Sequence, residues 1–159
     1  MQDTNQQPDV PVIYIKPTRF DLVLEGVAVL LLLALWAIAL GPFIFPDWYS
    51  ERFDQSGSIV MAIMVTVIVG KSFPDAYFPR RMKSNFWVKI TNENAERQYR
   101  LSARFSRYSL VWILLFVIEM SIRSLLPREK GIQYDHFGIY MGLYGAVIIW
   151  YIIRSRMLK

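Results

Sequence analysis

Four arginines, Arg97, Arg100, Arg104 and Arg107, recur at spacings of three and four in the run AERQYRLSARFSRYSLVW (95–112), which passes into apolar sequence without a turn signal. At 100° per residue they fall within about 80° of one another on a helix. Leu101, Phe105 and Tyr108 form an adjoining apolar stripe, so the predicted helix is amphipathic and basic. Guanidinium groups are always charged and carry planar sets of donors that suit phosphates and carboxylates. Three uses compete: nucleic-acid phosphates, anionic lipid headgroups or the surface of a protein partner, and a solvated extension that only sets membrane orientation. Direct fusion to an apolar segment puts headgroups nearer than nucleic acid, so nucleic acid is not an expected partner. Thr91 is a candidate cap for this helix, and Glu93→Arg97 and Glu96→Arg100 are i,i+4 pairs in the favourable order.

The second place where chemistry is conceivable is Glu119, inside the apolar run YSLVWILLFVIEMSIRSLL (108–126). An ionised carboxylate is costly there unless it is paired, hydrated or protonated, and Arg123 follows one turn later. The pair reads either as structural or as an ion or proton site. Glu25 lies nearer the start of its own apolar run, where its position explains it. His136, the lone histidine, stands in a predicted loop without metal-site partners. No protease, hydrolase, phosphate-loop or dinucleotide motif occurs, and the absence of cysteine removes disulfides and thiolate chemistry. An enzyme, a metal and a cofactor are therefore not expected.

The elements that position these groups are read from hydropathy. The chain of 159 residues is 54% hydrophobic and only 19% charged, and the apolar residues come in blocks. Residues 20–40 (FDLVLEGVAVLLLLALWAIAL) can cross a hydrocarbon core of about 30 Å at about 1.5 Å per residue. Thr18 and Asp21 match a capping box, and Gly41-Pro42 is expected to end the helix. The block SIVMAIMVTVIVG (58–70) spans only if it continues to about residue 78, with a kink or early exit at Pro74. Residues 108–126 and 137–153 complete four predicted spans. Trp150 and Tyr151, beside Arg154 and Arg156, suggest an interfacial belt.

Thirteen lysines and arginines precede the first span, follow the last or lie between the second and third, against four in the other two loops. This positive-inside pattern predicts both termini in the cytoplasm. Residues 1–17 read as a polar, disordered tail, with the VIYI segment able to touch the interface or a partner, and 18–159 as one four-helix membrane domain. Gly138 and Gly142 form a GxxxG that Gly145 extends, a small-residue face expected to pack against another span of the same chain rather than against a second copy. The sequence leaves the oligomeric state open.

The run VKITNENAERQY (88–99) resembles the VKIT-x-ENA-x-RQY run of small bacterial membrane proteins bearing the domain of unknown function 1648. That domain is related to SdpI-type toxin-immunity and signalling proteins. The matching residues are Val88, Lys89, Ile90, Thr91, Glu93, Asn94, Ala95, Arg97, Gln98 and Tyr99. RFDQSG (52–57) stands where that group carries HFN-x-x-G-x-PD, and Trp87 where it carries proline. The resemblance implies a bacterial inner-membrane location and an accessory, immunity or signalling role.

The sequence thus predicts an all-α polytopic protein with four transmembrane helices and a basic cytoplasmic helix continuous with the third. The expected function is non-catalytic, through Arg97, Arg100, Arg104 and Arg107 toward membrane lipid or a protein partner. The alternative is a small ion- or proton-conducting protein or transporter subunit centred on Glu119.

Overall fold

The computed structural model describes residues 14–46, 55–77, 84–85, 88–125 and 136–158. Within them the chain forms four helices, α1 (Arg19–Ile44), α2 (Gln55–Tyr77), α3 (Ala95–Leu125) and α4 (His136–Met157), with a two-residue antiparallel pairing of β1 (Ser84–Asn85) and β2 (Val88–Lys89) between α2 and α3. All four helices are long and apolar enough to cross a membrane. At 31 residues, α3 is about 46 Å long, about ten residues more than a 30 Å core needs. The excess is its N-terminal, arginine-bearing part.

The start of α1 follows the predicted capping box. The Thr18 hydroxyl accepts from the Asp21 amide at 3.3 Å, and the Asp21 carboxylate accepts from the Thr18 amide at 2.8 Å and from its hydroxyl at 2.6 Å. The expected stop at Gly41-Pro42 is overrun, because α1 continues to Ile44. Proline removes only its own amide and crowds the carbonyl four residues earlier, so the last turn can carry on past it. Pro74 sits in the last turn of α2 in the same way, and the carbonyl it crowds belongs to Gly70.

Three helices make the core. Ala28, Leu35 and Ala39 of α1 meet Ala62, Val65 and Val69 of α2 and Leu110, Leu114 and Val117 of α3. Each set recurs at three-, four- or seven-residue spacing, which keeps one seam of each helix inward. Small residues let the backbones approach closely where lipid supplies no hydrophobic drive between helices. Midway along the bundle the Trp36 indole donates to the Thr66 hydroxyl at 2.9 Å, and that hydroxyl donates to the Ala62 carbonyl at 2.7 Å. Outward-facing Val29, Leu30, Leu33, Val67 and Ile139 leave an apolar exterior suited to lipid.

α4 packs against α3 rather than into this core. Trp112 faces Tyr140 and Tyr144, Phe116 meets Tyr140, Phe105 stacks on Tyr151 at 4.2 Å between ring centres, and the Tyr144 hydroxyl donates to Ser109 at 3.1 Å. Tyr151 is therefore buried, and the interfacial belt expected of it falls to Trp150 alone. The small-residue face is not the contact surface: Gly138 and Gly142 are exposed, and a methyl group built on Gly142 or Gly145 meets nothing within 4 Å. The expectation of internal glycine packing is corrected accordingly, since the aromatic row on the other side of α4 takes the contact with α3.

The tail expected over 1–17 is ordered at its end. The Ile15 amide donates to the Tyr77 carbonyl at 3.0 Å, and the Ile15 side chain is buried with Ala76, Ile90, Ala95, Tyr99 and Ala103. VIYI thus finds its partner within the chain at Ile15, while residues 1–13 lie outside the described residues.

Candidate functional site

The start of α1, the end of α2, the start of α3 and the end of α4 meet at one end of the bundle. The described cations concentrate there, and Arg123 alone lies toward the opposite end.

The run preceding α3 builds a turn before it builds a helix. Thr91 was expected as the cap, but Asn92–Asn94 form a turn and α3 starts at Ala95. The Asn94 side chain accepts from the Thr91 amide at 2.8 Å and donates to the Lys89 carbonyl at 3.1 Å, while the Thr91 carbonyl accepts from the Ala95 amide at 2.9 Å. An asparagine that bonds its local backbone competes with helix and favours a turn. Glu93 consequently precedes the helix, and Glu96–Arg100 is the i,i+4 pair formed there, at 2.8 Å.

Gln98 is fully buried and fastens α4. Its amide nitrogen donates to the Ser155 and Leu158 carbonyls at 2.9 and 3.3 Å, and its oxygen accepts from the Ser155 hydroxyl at 2.9 Å. Gln98 thus joins the Leu158 amide, 3.3 Å away, in satisfying the Ser155 carbonyl near the end of α4, and also holds the Leu158 carbonyl just past it. Val88, Ile90, Asn94, Ala95, Gln98 and Tyr99 are all buried. Most of the VKIT-like run is thus packing and turn chemistry.

The four arginines separate into two groups. Arg97 and Arg100 are exposed and Arg104 is partly so. Arg107 is 2% exposed and points into the bundle, correcting its expected place on the outer stripe. The cause lies along the helix axis rather than around it: Arg107 is only about 20° from exposed Arg100 on the helical wheel but two turns further on, where α1 covers α3.

There Arg107 meets Glu25, which has a partner on another helix rather than only a place near the start of its apolar run. Its Nε donates to Glu25 Oε1 at 2.6 Å, the Tyr77 hydroxyl donates to Glu25 Oε2 at 2.6 Å, and the guanidinium lies 5.2 Å from the centre of the Tyr77 ring. One turn before Glu25, buried Asp21 lies 3.6 Å from Arg104 Nε. Two carboxylates one turn apart on α1 face two guanidiniums one turn apart on α3, and α2 supplies the tyrosine. The charges cancel, which is what makes their burial tolerable. Both terminal nitrogens of Arg107 lack a hydrogen-bond partner among the described residues. The signal for this cluster was present in the sequence: Glu25 and Arg107 each abut an apolar run, and each needs an opposite charge on another helix.

Outside the cluster, Arg97, Arg100, Arg104 and Arg154 line an open groove of about 400 Å³ between α3 and α4, with Trp150 and Leu158 completing its wall. At the other end of α3, Glu119 pairs with Arg123 as the spacing predicted, both partly exposed. Residues 47–54 between α1 and α2, His136's side chain and Arg80, Arg81 and Lys83 lie outside the described residues. Among the described residues, no group of three or more histidines, cysteines or carboxylates is placed to hold a metal ion.

Comparison with family models, curated proteins and solved structures finds no match to this chain.

Proposed function

We propose that the chain is a non-catalytic, multi-pass protein of the bacterial inner membrane, acting as an accessory, immunity or signalling component through its basic cytoplasmic surface. The carrying observation is the convergence of Arg97, Arg100 and Arg104 from α3 with Arg154 from α4 on one open groove. These guanidiniums are presented for an anionic partner or lipid, whereas Arg107 is consumed inside the fold. The excess of basic residues at that end supports a cytoplasmic orientation, and the likeness of 88–99 to domain-1648 proteins supports the functional class. Both Glu25 oxygens are engaged by Arg107 and Tyr77, which favours a structural over a catalytic use of that carboxylate.

The conduction alternative draws less support. Glu119 is satisfied on its own helix by Arg123, and Leu114, Val117, Leu35 and Val65 form apolar packing in the bundle between it and the acidic groups at the basic end.

The test is cross-linking in the native membrane from a photoreactive residue at position 150, in the exposed wall of the groove, followed by mild detergent extraction. A stoichiometric adduct lost in R97Q/R100Q and kept in E119Q is the expected result. Activity that survives R97Q/R100Q but fails in E119Q, together with proton flux in liposomes, overturns the reading in favour of conduction.

A further inference from the structure

Resting on the reading of this surface as anion-recognising, we infer that the α3–α4 groove is a specific site for an anionic phospholipid. Its phosphodiester lies among the arginines and its acyl chains lie along the uncovered apolar flank of α4.

The charge is unbalanced in the required sense. Arg100 is neutralised by Glu96 at 2.8 Å, and Arg104 leans toward Asp21 at 3.6 Å. Arg97 and Arg154 have no carboxylate partner among the described residues, so two exposed guanidiniums from two helices face one groove. Guanidinium forks match phosphate oxygens in a bidentate manner, and convergence from two helices distinguishes a site from a row of solvated charges. The volume of about 400 Å³ falls within the range of about 300–1,000 Å³ in which small ligands are held.

The apolar surroundings select a lipid over a soluble anion. Trp150 lies one turn before Arg154, is 49% exposed and forms part of the groove wall. Tryptophan prefers the boundary between headgroups and acyl chains. Leu143 and Ile139 continue exposed apolar surface along the same face of α4, on the side of Trp150 away from Arg154. Inorganic phosphate or a nucleic-acid strand engages only the charges; a phospholipid engages both parts in the order in which they occur. Because Arg97 and Arg154 belong to different helices, the bound headgroup also braces α4, which the described residues hold to α3 through Gln98, one row of aromatic rings and the Tyr144–Ser109 hydrogen bond.

The experiment is native mass spectrometry of the full chain, delipidated in detergent and titrated with phosphatidylglycerol or phosphatidylcholine. Three proteins are compared: wild type, R97Q/R154Q, and R19Q/R156Q, which removes two charges from the same end without altering the groove. One phosphatidylglycerol retained per chain is expected. R97Q/R154Q is expected to weaken it about tenfold or more, at about 1 kcal/mol per basic residue near an anionic surface, with R19Q/R156Q close to wild type. Equal loss in both variants, or equal retention of phosphatidylcholine, overturns the lipid site. Displacement by millimolar inorganic phosphate overturns the lipid as the occupant and assigns the groove to a soluble anion. If lipid retention is unchanged in R97Q/R154Q while the cross-linked adduct described above disappears in the same variant, the lipid inference falls and the partner reading stands. If both are unchanged, both fall.

Discussion

Glu25–Arg107 and Glu119–Arg123 pair the same two side-chain types, each with its arginine on α3, yet they sit in opposite physical situations. The first joins two helices, its side chains are 12% and 2% exposed, and a tyrosine from a third helix completes it. The second stays within a single turn, with side chains 23% and 39% exposed. Removing two charges from water is expensive and tolerable only with good geometry, so the first pair fixes how α1, α2 and α3 meet. The second needs no other helix and specifies little about them. A carboxylate in an apolar run is therefore informative according to where its cation comes from, and a cation on another helix makes it architectural.

The contrast can be broken by mutation. R107A leaves Glu25 buried without its charge partner and is expected to destabilise the protein by about 3–5 kcal/mol, read from chemical unfolding in detergent micelles. In the double variant E25Q/R107M most of that stability should return; if it is as unstable as R107A, burial of unpaired charge is not the cause. Y77F removes one hydrogen bond to a carboxylate and is expected to lose about 1.5–3 kcal/mol in the same assay. Q98A releases the end of α4, with an expected loss of about 1–2 kcal/mol. Its mark is local: hydrogen exchange should accelerate over 144–157 while the amides of 28–39 stay protected, and uniform acceleration would contradict the separateness of α4. E119Q is expected to change stability by less than about 1 kcal/mol, as for other partly exposed i,i+4 pairs. A loss as large as that of R107A would erase the distinction between the two pairs.

The four helices and the start of α1 were legible because they depend on local information: runs of apolar residues, and a threonine and an aspartate three apart. The Glu119–Arg123 pair was legible for the same reason, being one turn of one helix. Arg107 was misplaced because a helical wheel gives relative angles within a helix and is silent on which length of it a neighbouring helix will cover. Glu25 was passed over since its partner lies eighty-two residues away. The glycine face of α4 failed for a related reason: small residues permit close approach, but aromatic rings on the other side made the contact. Arg154's place in the groove likewise depends on Gln98 fastening α4 beside α3, which spacing along either helix does not reveal.

The separateness of α4 also bears on how the molecule is made. Among the described residues, every buried member of both apolar clusters precedes Leu125, the last at Val117. The ionic cluster of Asp21, Glu25, Tyr77, Arg104 and Arg107 is complete by the same point. A nascent chain that has delivered its third span to the membrane therefore already holds what it needs to close the bundle, and the fourth span arrives at a finished surface, to be added by its aromatic row and clasped at Ser155.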